Sequence, residues 1–478
     1  MLFNNVSIYC VRKNYFINVN YFTINVAIRN VSDYNKSEIK TLSKTGGAKM
    51  SKLFKRVSVS LLSVGVLFSL AACGNGKDDK TKGSGEDAGK SDVTLTVGFW
   101  KGDSTSEDSA RKKAFEGFTK KTGIKVQEKV YNDYDTQLMT DLVGGTAPDV
   151  FYVDVSNVPS LTSQGVLEPL DDYISKQTDF NQADFYEPIF NGFKAEDGKQ
   201  YGVPKDYSTL GFYYNEDLLK KAGLTAKDLP KDYDELESFL TTLKEKLPDV
   251  QPMVFSALLA RQMYIAESDG GKITKEDGTA NLDDPKVVEA LAPLQKLYEK
   301  GLIRTPEDLG DGWAGDTFGR GGAVISDEGA WMVSHLNTNF PDLNWGVQEL
   351  PILNGEKRNM VFTVSYSMNA ATKNKEESWE LINYLTNDAM KDYAQEASVL
   401  PSRKSVAEEL KIDTDETMSA FAKAADYATP WQDGPYLSII TSRYENMIPS
   451  ALKGEMTLEK AMKEATTSAN QDIENQVK

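Results

Sequence analysis

Cysteine and histidine, the side chains that most often serve as nucleophiles, bases and metal ligands, are almost absent from this 478-residue chain. His335 is the only histidine, and the two cysteines are Cys10 and Cys73. A site built from several histidines is therefore excluded, and beyond Cys73 neither a disulfide nor a cysteine-ligated metal site can form. We predict no cofactor and no metal, and for His335 a surface or capping role.

Cys73 ends a segment that has the parts of a secretion signal. The segment begins at Met50 with a head that carries three positive residues, Lys52, Lys55 and Arg56. Residues 57–70 are apolar but fewer than the roughly 20 that span a membrane, and two alanines follow. Residues 70–73, Leu-Ala-Ala-Cys, resemble the bacterial lipobox, which implies cleavage before Cys73 and acylation of its sulfur, for example by palmitate. The alternative is a transmembrane anchor with a free cysteine.

The segments on either side of this signal peptide, residues 50–72, differ from it in composition. Residues 1–49 are rich in Asn, Ile, Tyr and Phe without the period of a helix or strand. Codons for residues 45–47 could spell a ribosome-binding sequence, so we hypothesise that translation starts at Met50; a genuine cytoplasmic extension is the alternative. Residues 73–91 consist mainly of Gly, Ser, Lys and Asp and predict a flexible tether. The expected location is the extracellular face of a Gram-positive cell membrane, with the lipid on Cys73 as anchor.

The charge of the chain is unevenly distributed. The whole sequence carries a formal net charge of -17, and the segments before Cys73 are basic, so the part from Cys73 onward carries -25. So acidic a surface argues against nucleic acid or anionic lipid as a partner. It also keeps an exported protein soluble, which suffices to explain the charge.

Short β-branched runs alternate with helical stretches between residues 93 and 215, a pattern typical of βαβ units with a mainly parallel sheet. We predict strands over 93–99, 124–130 and 148–154, and helices over 108–121, 134–144, 232–246 and 285–300. Helical spacing predicts three buried faces: Ala110, Ala114, Phe115 and Phe118 on the first helix, Leu236, Phe239, Leu240 and Leu243 on the third, and Val288, Leu291, Leu294 and Leu297 on the fourth. Ligands of open α/β sheets bind at the carboxyl ends of strands. Four residues follow or end predicted strands and become candidates for a site: Trp100, Lys101, Asp103 and Asp154.

Several segments in a fixed order resemble the family 1 extracellular solute-binding proteins, which serve ABC importers of sugars. They are Ala-Pro-Asp-Val-Phe-Tyr at 147–152, Tyr-Gly-Val-Pro at 201–204, and 212–219, 321–331, 345–351, 369–374 and 379–385. The resemblance covers nearly the whole chain after residue 91. It implies a two-lobed α/β fold of the periplasmic-binding-protein type with a ligand cleft between the lobes. The implied ligand is an oligosaccharide, for example of the α-glucoside or maltodextrin type, and the implied partners are the membrane permease subunits of an ABC importer. A monomer is expected.

The family fold also implies where the chain passes between lobes. The N-lobe would comprise residues 92–208 and 348–398, and the C-lobe residues 212–345 and 401–478. Crossings near 208–211, 346–348 and 399–401 would act as hinges, and closure around the ligand would report occupancy to the permease.

A sugar cleft needs flat aromatic surfaces beside groups that hydrogen-bond hydroxyls. The aromatic candidates are Trp331, which matches the family's cleft tryptophan, and Trp100, Trp313, Trp431 and Tyr436 in predicted strand ends and loops. Trp431 and Tyr436 belong to residues 429–436, a polar loop with two prolines in which a tryptophan is expected to have little core to join. The polar candidates are Asp103, Asp154, Asp206, Tyr207, Asp327 and Tyr366. Trp345 and Trp379 are expected to pack at a hinge and on a helix, and Arg403 to be structural. Residues 152–154 and 258–267 depart from the maltodextrin binders, so the sugar's identity stays open.

Two other classes of function deserve comparison. An exported glycoside hydrolase would also combine aromatic residues with a pair of carboxylates. A Ser-His-Asp hydrolase would depend on His335, and no Gly-x-Ser-x-Gly elbow is present. Because we find no compact catalytic motif, we predict a binding protein and not an enzyme, with the glycoside hydrolase as the alternative.

Overall fold

A computed structural model describes residues 93–101 and 105–477 of the chain. The predictions for residues 1–49, 50–72 and 73–91, for Cys73 and for Asp103 lie outside these ranges. None of the helices within them is long and apolar enough to cross a membrane.

Eleven strands occur in the described ranges. In chain order they are β1 (Thr94–Trp100), β2 (Lys125–Tyr131), β3 (Val150–Asp154), β4 (Val203–Asn215), β5 (Gln251–Val254), β6 (Ile303–Arg304), β7 (Ala323–Gly329), β8 (Trp345–Gln348), β9 (Met360–Met368), β10 (Leu400–Pro401) and β11 (Thr429–Pro430). The three predicted strands correspond to β1, β2 and β3 within two residues at each end.

Seventeen α-helices connect these strands over the same ranges. They are α1 (Thr105–Thr122), α2 (Tyr134–Gly144), α3 (Val158–Ser163), α4 (Asp171–Lys176), α5 (Glu187–Asn191), α6 (Glu216–Lys221), α7 (Tyr233–Lys246), α8 (Leu259–Ala266), α9 (Pro285–Glu299), α10 (Ala314–Gly319), α11 (Trp331–Asn339), α12 (Lys375–Thr386), α13 (Met390–Ala397), α14 (Lys404–Glu409), α15 (Ser419–Ala422), α16 (Leu437–Leu452) and α17 (Leu458–Val477). The predicted helices match α1, α2, α7 and α9; α1 begins three residues earlier than predicted.

The strands join in the order β2-β1-β3-β9-β4-β7-β5-β6, while β8 and β10 also pair with β4, and β11 pairs with β9. β1 is parallel to β2 and β3, as predicted. The prediction of a mainly parallel sheet is correct only in part: β5 is also parallel to β6 and β7, but β9 runs antiparallel to both β3 and β4. The reason is that β9 comes from a part of the chain some 200 residues after β3 and returns in the opposite direction.

β4 belongs to two parts of the sheet in succession. Its residues up to Thr209 pair with β9, and from Leu210 onward it pairs with β7 and then β8. We call β1, β2, β3, β9, β10, β11 and the start of β4 the first sub-sheet, and β5 to β8 with the end of β4 the second sub-sheet. The change falls at the predicted crossing near 208–211. The lobe boundaries themselves stay a prediction.

Gly211 lies just after this change of partner strand. A Cβ atom at this position would lie 2.6 Å from side-chain atoms of both Phe421 and Val347. Only glycine lets α15 and β8 approach the strand here so closely.

The helices bury the apolar faces that their sequences predict. Ala110, Ala114, Phe115 and Phe118 of α1 are buried, and so are the four predicted positions of α7, Leu236, Phe239, Leu240 and Leu243. In α9 Leu291 and Leu297 are buried, but Val288 and Leu294 are only half-buried, and Val287 and Ala290 complete the core face instead. The apolar stripe of α9 is thus rotated by about one residue from the predicted one.

Candidate functional site

A cavity of about 970 Å³ opens beside the middle of β4, where the two sub-sheets meet. The first sub-sheet and its helices contribute the ends of β1 and β3, the start of α1 and the end of α13. Helices of the second sub-sheet contribute residues of α8 and α11, and the centre of β9 completes the wall. The position at the carboxyl ends of β1 and β3 is the one expected for ligands of open α/β sheets.

Four aromatic side chains line this cavity: Trp100, Trp313, Trp331 and Phe362. Trp331 is the first residue of α11, directly after β7, and its ring stands edge-on to Phe362 with centroids 5.3 Å apart. The guanidinium of Arg261 lies 4.6 Å from the centre of the Trp331 ring. A cation this close to an indole stabilises it in place.

Glu328 contacts both Trp331 and Arg261. Its side chain is fully buried; one oxygen, Oε2, accepts from Nε1 of Trp331 at 3.1 Å and lies 3.2 Å from Nε of Arg261. The other, Oε1, accepts from the hydroxyl of Ser256 at 3.0 Å. A buried carboxylate needs such a cation and such donors, so the positions of Trp331 and Arg261 depend on each other through Glu328.

Trp313 lies on the same side of the cavity, against His335. The two rings are 4.4 Å apart in a T-shaped arrangement. Nε2 of His335 is 3.1 Å from Oδ1 of Asp316, outside hydrogen-bond geometry, and Nδ1 is 3.1 Å from the amide nitrogen of Asn339. His335, for which the sequence predicts a surface or capping role, lines the cavity.

Trp100 faces these groups from the first sub-sheet. Its ring makes T-shaped contacts with Tyr134 and Tyr152, with centroids 5.2 and 5.1 Å away. Because it is wedged between two rings and only half-buried, it presents an immobilised flat surface at the end of β1.

A cluster of charged side chains also lines the cavity. Lys205 is 5% exposed, and its ammonium contacts Oδ2 of Asp206, Oε1 of Glu107 at 3.3 Å and the hydroxyl of Tyr393 at 3.0 Å. Burial disfavours the ammonium, but Asp206 and its other polar neighbours outweigh that cost, and the pKa of Lys205 is raised well above its ordinary value. Lys205 in turn lowers the pKa of Glu107.

Asp154 ends β3 at the cavity wall. Its Oδ1 accepts from the amide and the hydroxyl of Ser156, at 2.9 and 2.5 Å, and so caps a short 3-10 helix. Both hydrogen bonds are accepted by Oδ1, and neither involves Oδ2. Burial raises the pKa of Asp154, which Ser156 offsets only in part.

The structure brings six of the residues singled out from the sequence to this one cavity: Trp100, Asp154, Asp206, Tyr207, Trp313 and Trp331. Asp103 lies outside the described residues. Lys101 follows β1 and is exposed, but it does not line the cavity. Four others, Asp327, Tyr366, Trp431 and Tyr436, are also not among the lining residues.

Two of these four residues lie on strands, at positions that neighbouring side chains cover. Tyr366 lies on β9 two residues beyond Val364 but is buried against Tyr152, 5.4 Å away, in the core of the first sub-sheet. Asp327 lies within β7, opposite Phe212, and is buried before the strand reaches the cavity. Burial and the neighbouring Glu328 raise the pKa of Asp327 well above its ordinary value.

Core packing accounts for the other two. The loop of Trp431 is held against β9 by β11 and by a bond from the amide of Trp431 to the carbonyl of Val361. The Trp431 ring is buried in the large core cluster, and Tyr436 packs half-buried against the same cluster. The sequence suggested a polar loop with little core to join, and that expectation is wrong for Trp431.

Among the lining residues that were not singled out from the sequence, four are charged or aromatic: Glu107, Lys205, Arg261 and Phe362. Lys205 is next to the candidate Asp206, and this proximity could have indicated it. Arg261 lies in residues 258–267, which showed no recognisable motif. Trp379, predicted to pack on a helix, is buried on α12, and Arg403, predicted to be structural, binds Asp184 with Nε 2.7 Å from Oδ2.

The part of the chain that contains most of the cavity-lining residues matches a known protein family. Residues 101–392 match the family described as bacterial extracellular solute-binding protein. The chain belongs to this family. The resemblance predicted from the sequence segments is therefore confirmed. In this solute-binding protein, no group of three or more His, Cys, Asp or Glu in the described ranges is placed to hold a metal ion.

Relatives extend over nearly the full length of the solute-binding protein. It is 28% identical to the galactooligosaccharide-binding protein of Bacillus subtilis over 88% of this chain and 98% of that one. It is 26% identical to the maltooligosaccharide ABC transporter solute-binding lipoprotein of Streptococcus pneumoniae, over 89% and 99% of the two chains. An exported glycoside hydrolase, the alternative prediction, finds no support among these relatives.

A solved structure establishes the fold of the solute-binding protein. The ABC substrate-binding protein Lmo0181 from Listeria monocytogenes, in complex with cycloalternan, superposes with a TM-score of 0.69 over 80% of this chain and 99% of its own, at 23% identity. The predicted two-lobed α/β fold of the periplasmic-binding-protein type is confirmed.

Proposed function

We propose that this protein binds an oligosaccharide in the cavity beside β4 and delivers it unchanged to the permease of an ABC importer. The observation that carries the proposal is the lining of the cavity, in which Trp100, Trp313 and Trp331 stand around Asp206 and Asp154. Pyranose rings offer weakly apolar C–H faces and a rim of hydroxyl groups, so flat aromatic rings and carboxylate acceptors complement them.

The size of the cavity fits the same ligand class. A volume of about 970 Å³ lies at the upper end of the range for small-molecule sites and exceeds what a single monosaccharide needs. The two relatives are named for galactooligosaccharides and maltooligosaccharides, which supports an oligosaccharide ligand over a monosaccharide.

The protein acts as a binder and not as an enzyme in this proposal. The three carboxylates that line the cavity in the described part of the chain are engaged with protein partners: Glu107 and Asp206 contact Lys205, and Asp154 caps a helix through Ser156. Glycoside hydrolysis needs a general acid and a second carboxylate positioned on either side of the scissile bond. The engagement of all three carboxylates with protein partners favours binding without catalysis.

The proposal includes a lipid anchor on Cys73, with the folded part held at the extracellular face of the membrane by residues 73–91. The lipobox-like sequence at 70–73 and the lipoprotein relative support it.

Thermal unfolding in the presence of sugars tests the binding function. We expect galactooligosaccharides, maltooligosaccharides or cycloalternan to raise the melting temperature of the purified protein, since a ligand that binds only the folded state stabilises it. Chromatography of the same samples should recover the sugar intact. Release of shorter sugars would overturn the binding proposal in favour of hydrolysis.

A further inference from the structure

Lys205 connects three elements of the fold at the wall of the cavity. Its ammonium contacts Glu107 on α1, Asp206 on β4 and Tyr393 on α13. A lysine ammonium has three hydrogens to donate, and these three oxygen atoms account for all of them. Lys205 therefore has no donor left for a ligand while this arrangement persists.

A β-bulge creates the contact between Lys205 and its neighbour in sequence. Pro204 pairs with Ser365 and Asp206 with Val364, so Lys205 is an extra residue on β4 opposite β9. Successive side chains of a regular strand point to opposite faces of the sheet. The bulge interrupts that alternation, so Lys205 and Asp206 both reach the cavity and touch each other.

Two carboxyl groups meet at this single cation. Burial raises the pKa of Asp206, and Lys205 opposes the rise. The other charged or titratable groups around the cluster are Arg111 on α1, Tyr152 on β3, Tyr366 on β9 and Tyr393 on α13. Asp154 and His335 line the same cavity from β3 and α11. Without Lys205, Glu107 and Asp206 would repel each other, and one of them would retain its proton into the neutral range.

We propose that Lys205 is a positioning residue, which holds Glu107 and Asp206 together at the cavity wall as ionised acceptors for the hydroxyl groups of the ligand. Lys205 occupies Oδ2 of Asp206 and leaves Oδ1 for such a contact. The inference rests on the proposed function of the cavity, and it assigns ligand recognition to the carboxylates and their orientation to the lysine.

A measurement without ligand tests the charge arrangement. We compare thermal unfolding of Lys205→Met with that of the double variant Lys205→Met/Asp206→Asn between pH 5 and pH 8. In the single variant Asp206 is buried without its cation and binds a proton more tightly when folded than when unfolded, so stability falls as the pH rises. We expect its melting temperature to fall by roughly 3 °C or more relative to the double variant across this range. A difference that stays constant with pH would overturn the proposal.

A second measurement tests the link to ligand binding, with maltotriose and β-1,4-galactotriose as probes. For a probe that binds the wild type, we expect Lys205→Met to weaken binding at least about tenfold at pH 8 and clearly less at pH 5.5, where one carboxyl is protonated. Equal weakening at both pH values would overturn the positioning role. If neither probe binds the wild type, the proposed function fails for these sugars, while the unfolding profiles still decide the role of Lys205.

Folding of the single variant offers a further check. If Lys205→Met is unfolded at pH 8, the proposal requires that it fold at pH 5, where protonation removes the repulsion, and that the double variant fold at both pH values. Both variants unfolded at both pH values would make Lys205 a purely structural residue and overturn the proposal.

Discussion

The indole nitrogen of Trp331 donates a hydrogen bond to Glu328 at 3.1 Å, and Glu328 has no exposed surface. Glu328 also accepts from Ser256 and pairs with Arg261, whose guanidinium lies against the Trp331 ring. The orientation of a cavity-lining aromatic residue is thus set by a buried carboxylate three residues before it. A rigid aromatic surface loses little entropy when a ligand stacks on it.

Removal of the Trp331 ring should weaken sugar binding without unfolding the protein. We expect Trp331→Ala to lower the affinity for a bound oligosaccharide at least about tenfold, which corresponds to about 1.4 kcal/mol of lost contact. The fold should persist, because Glu328 keeps Ser256 and Arg261 as partners. Calorimetry measures the affinity, with Trp345→Phe as a control at a half-buried tryptophan that does not line the cavity. Unchanged affinity of Trp331→Ala would remove this residue from the site.

Displacement of the ring should have a similar effect to its removal. A methyl group at Gly329 would overlap the outer ring atoms of Trp331, so Gly329→Ala must shift the indole. We expect weaker sugar binding together with a changed tryptophan fluorescence spectrum. Gly312→Ala is the matched control, since a Cβ at Gly312 meets no atom within 4 Å. Equal affinities of the two variants would show that ring position does not matter.

The bond between Arg403 and Asp184 should make stability depend on pH. Burial alone would raise the pKa of Asp184, but hydrogen bonds from Ser405 and Arg403 outweigh it and hold the pKa below its ordinary value. The stabilisation is therefore present above about pH 4 and is lost as the pH falls through the lowered pKa.

We accordingly expect Asp184→Asn to be less stable than the wild type by about 2 kcal/mol at pH 7 in denaturant unfolding, with a smaller gap below about pH 4. The exposed Asp249→Asn serves as control. A gap that does not change with pH would contradict an ionic contribution from Asp184.

The proposed attachment of a lipid to Cys73 can be tested in a bacterial host that processes lipoproteins. We expect the wild type to incorporate labelled palmitate and to sediment with membranes, and Cys73→Ser to lose the label and appear in the medium or the soluble fraction. If Cys73→Ser stays in the membrane fraction as the wild type does, the apolar segment 57–70 and not the lipid is the anchor.

The strands, the helices and the buried faces of the helices could be predicted because they follow from the periodic spacing of apolar side chains along a short stretch of sequence. The strands β1 to β3 and the buried faces of α1 and α7 are examples, since hydrophobic spacing decides them locally. The position of Trp100 at the cavity follows from the end of β1, a local feature combined with the general location of ligands in α/β sheets.

The remainder of the site depends on contacts between distant segments. Arg261 reaches the cavity only because Glu328, 67 residues later, is buried beside it. Lys205 acquires its role from a bulge that a one-dimensional pattern does not reveal. Tyr366 is buried because the register between β9 and β3 places it opposite Tyr152. Trp431 is buried in the core, contrary to the prediction, because its loop pairs with β9, which lies almost 70 residues earlier in the sequence.

Calorimetric titration of the purified protein with oligosaccharides tests the central proposal most directly. Galactooligosaccharides, maltooligosaccharides and cycloalternan are the titrants, and the sugar recovered from the calorimeter cell is analysed by mass spectrometry. We predict that at least one of them binds with one molecule per chain and a dissociation constant below about 100 μM, and that it is recovered intact. No binding heat from any of the three, or recovery of cleaved sugar, would contradict the account.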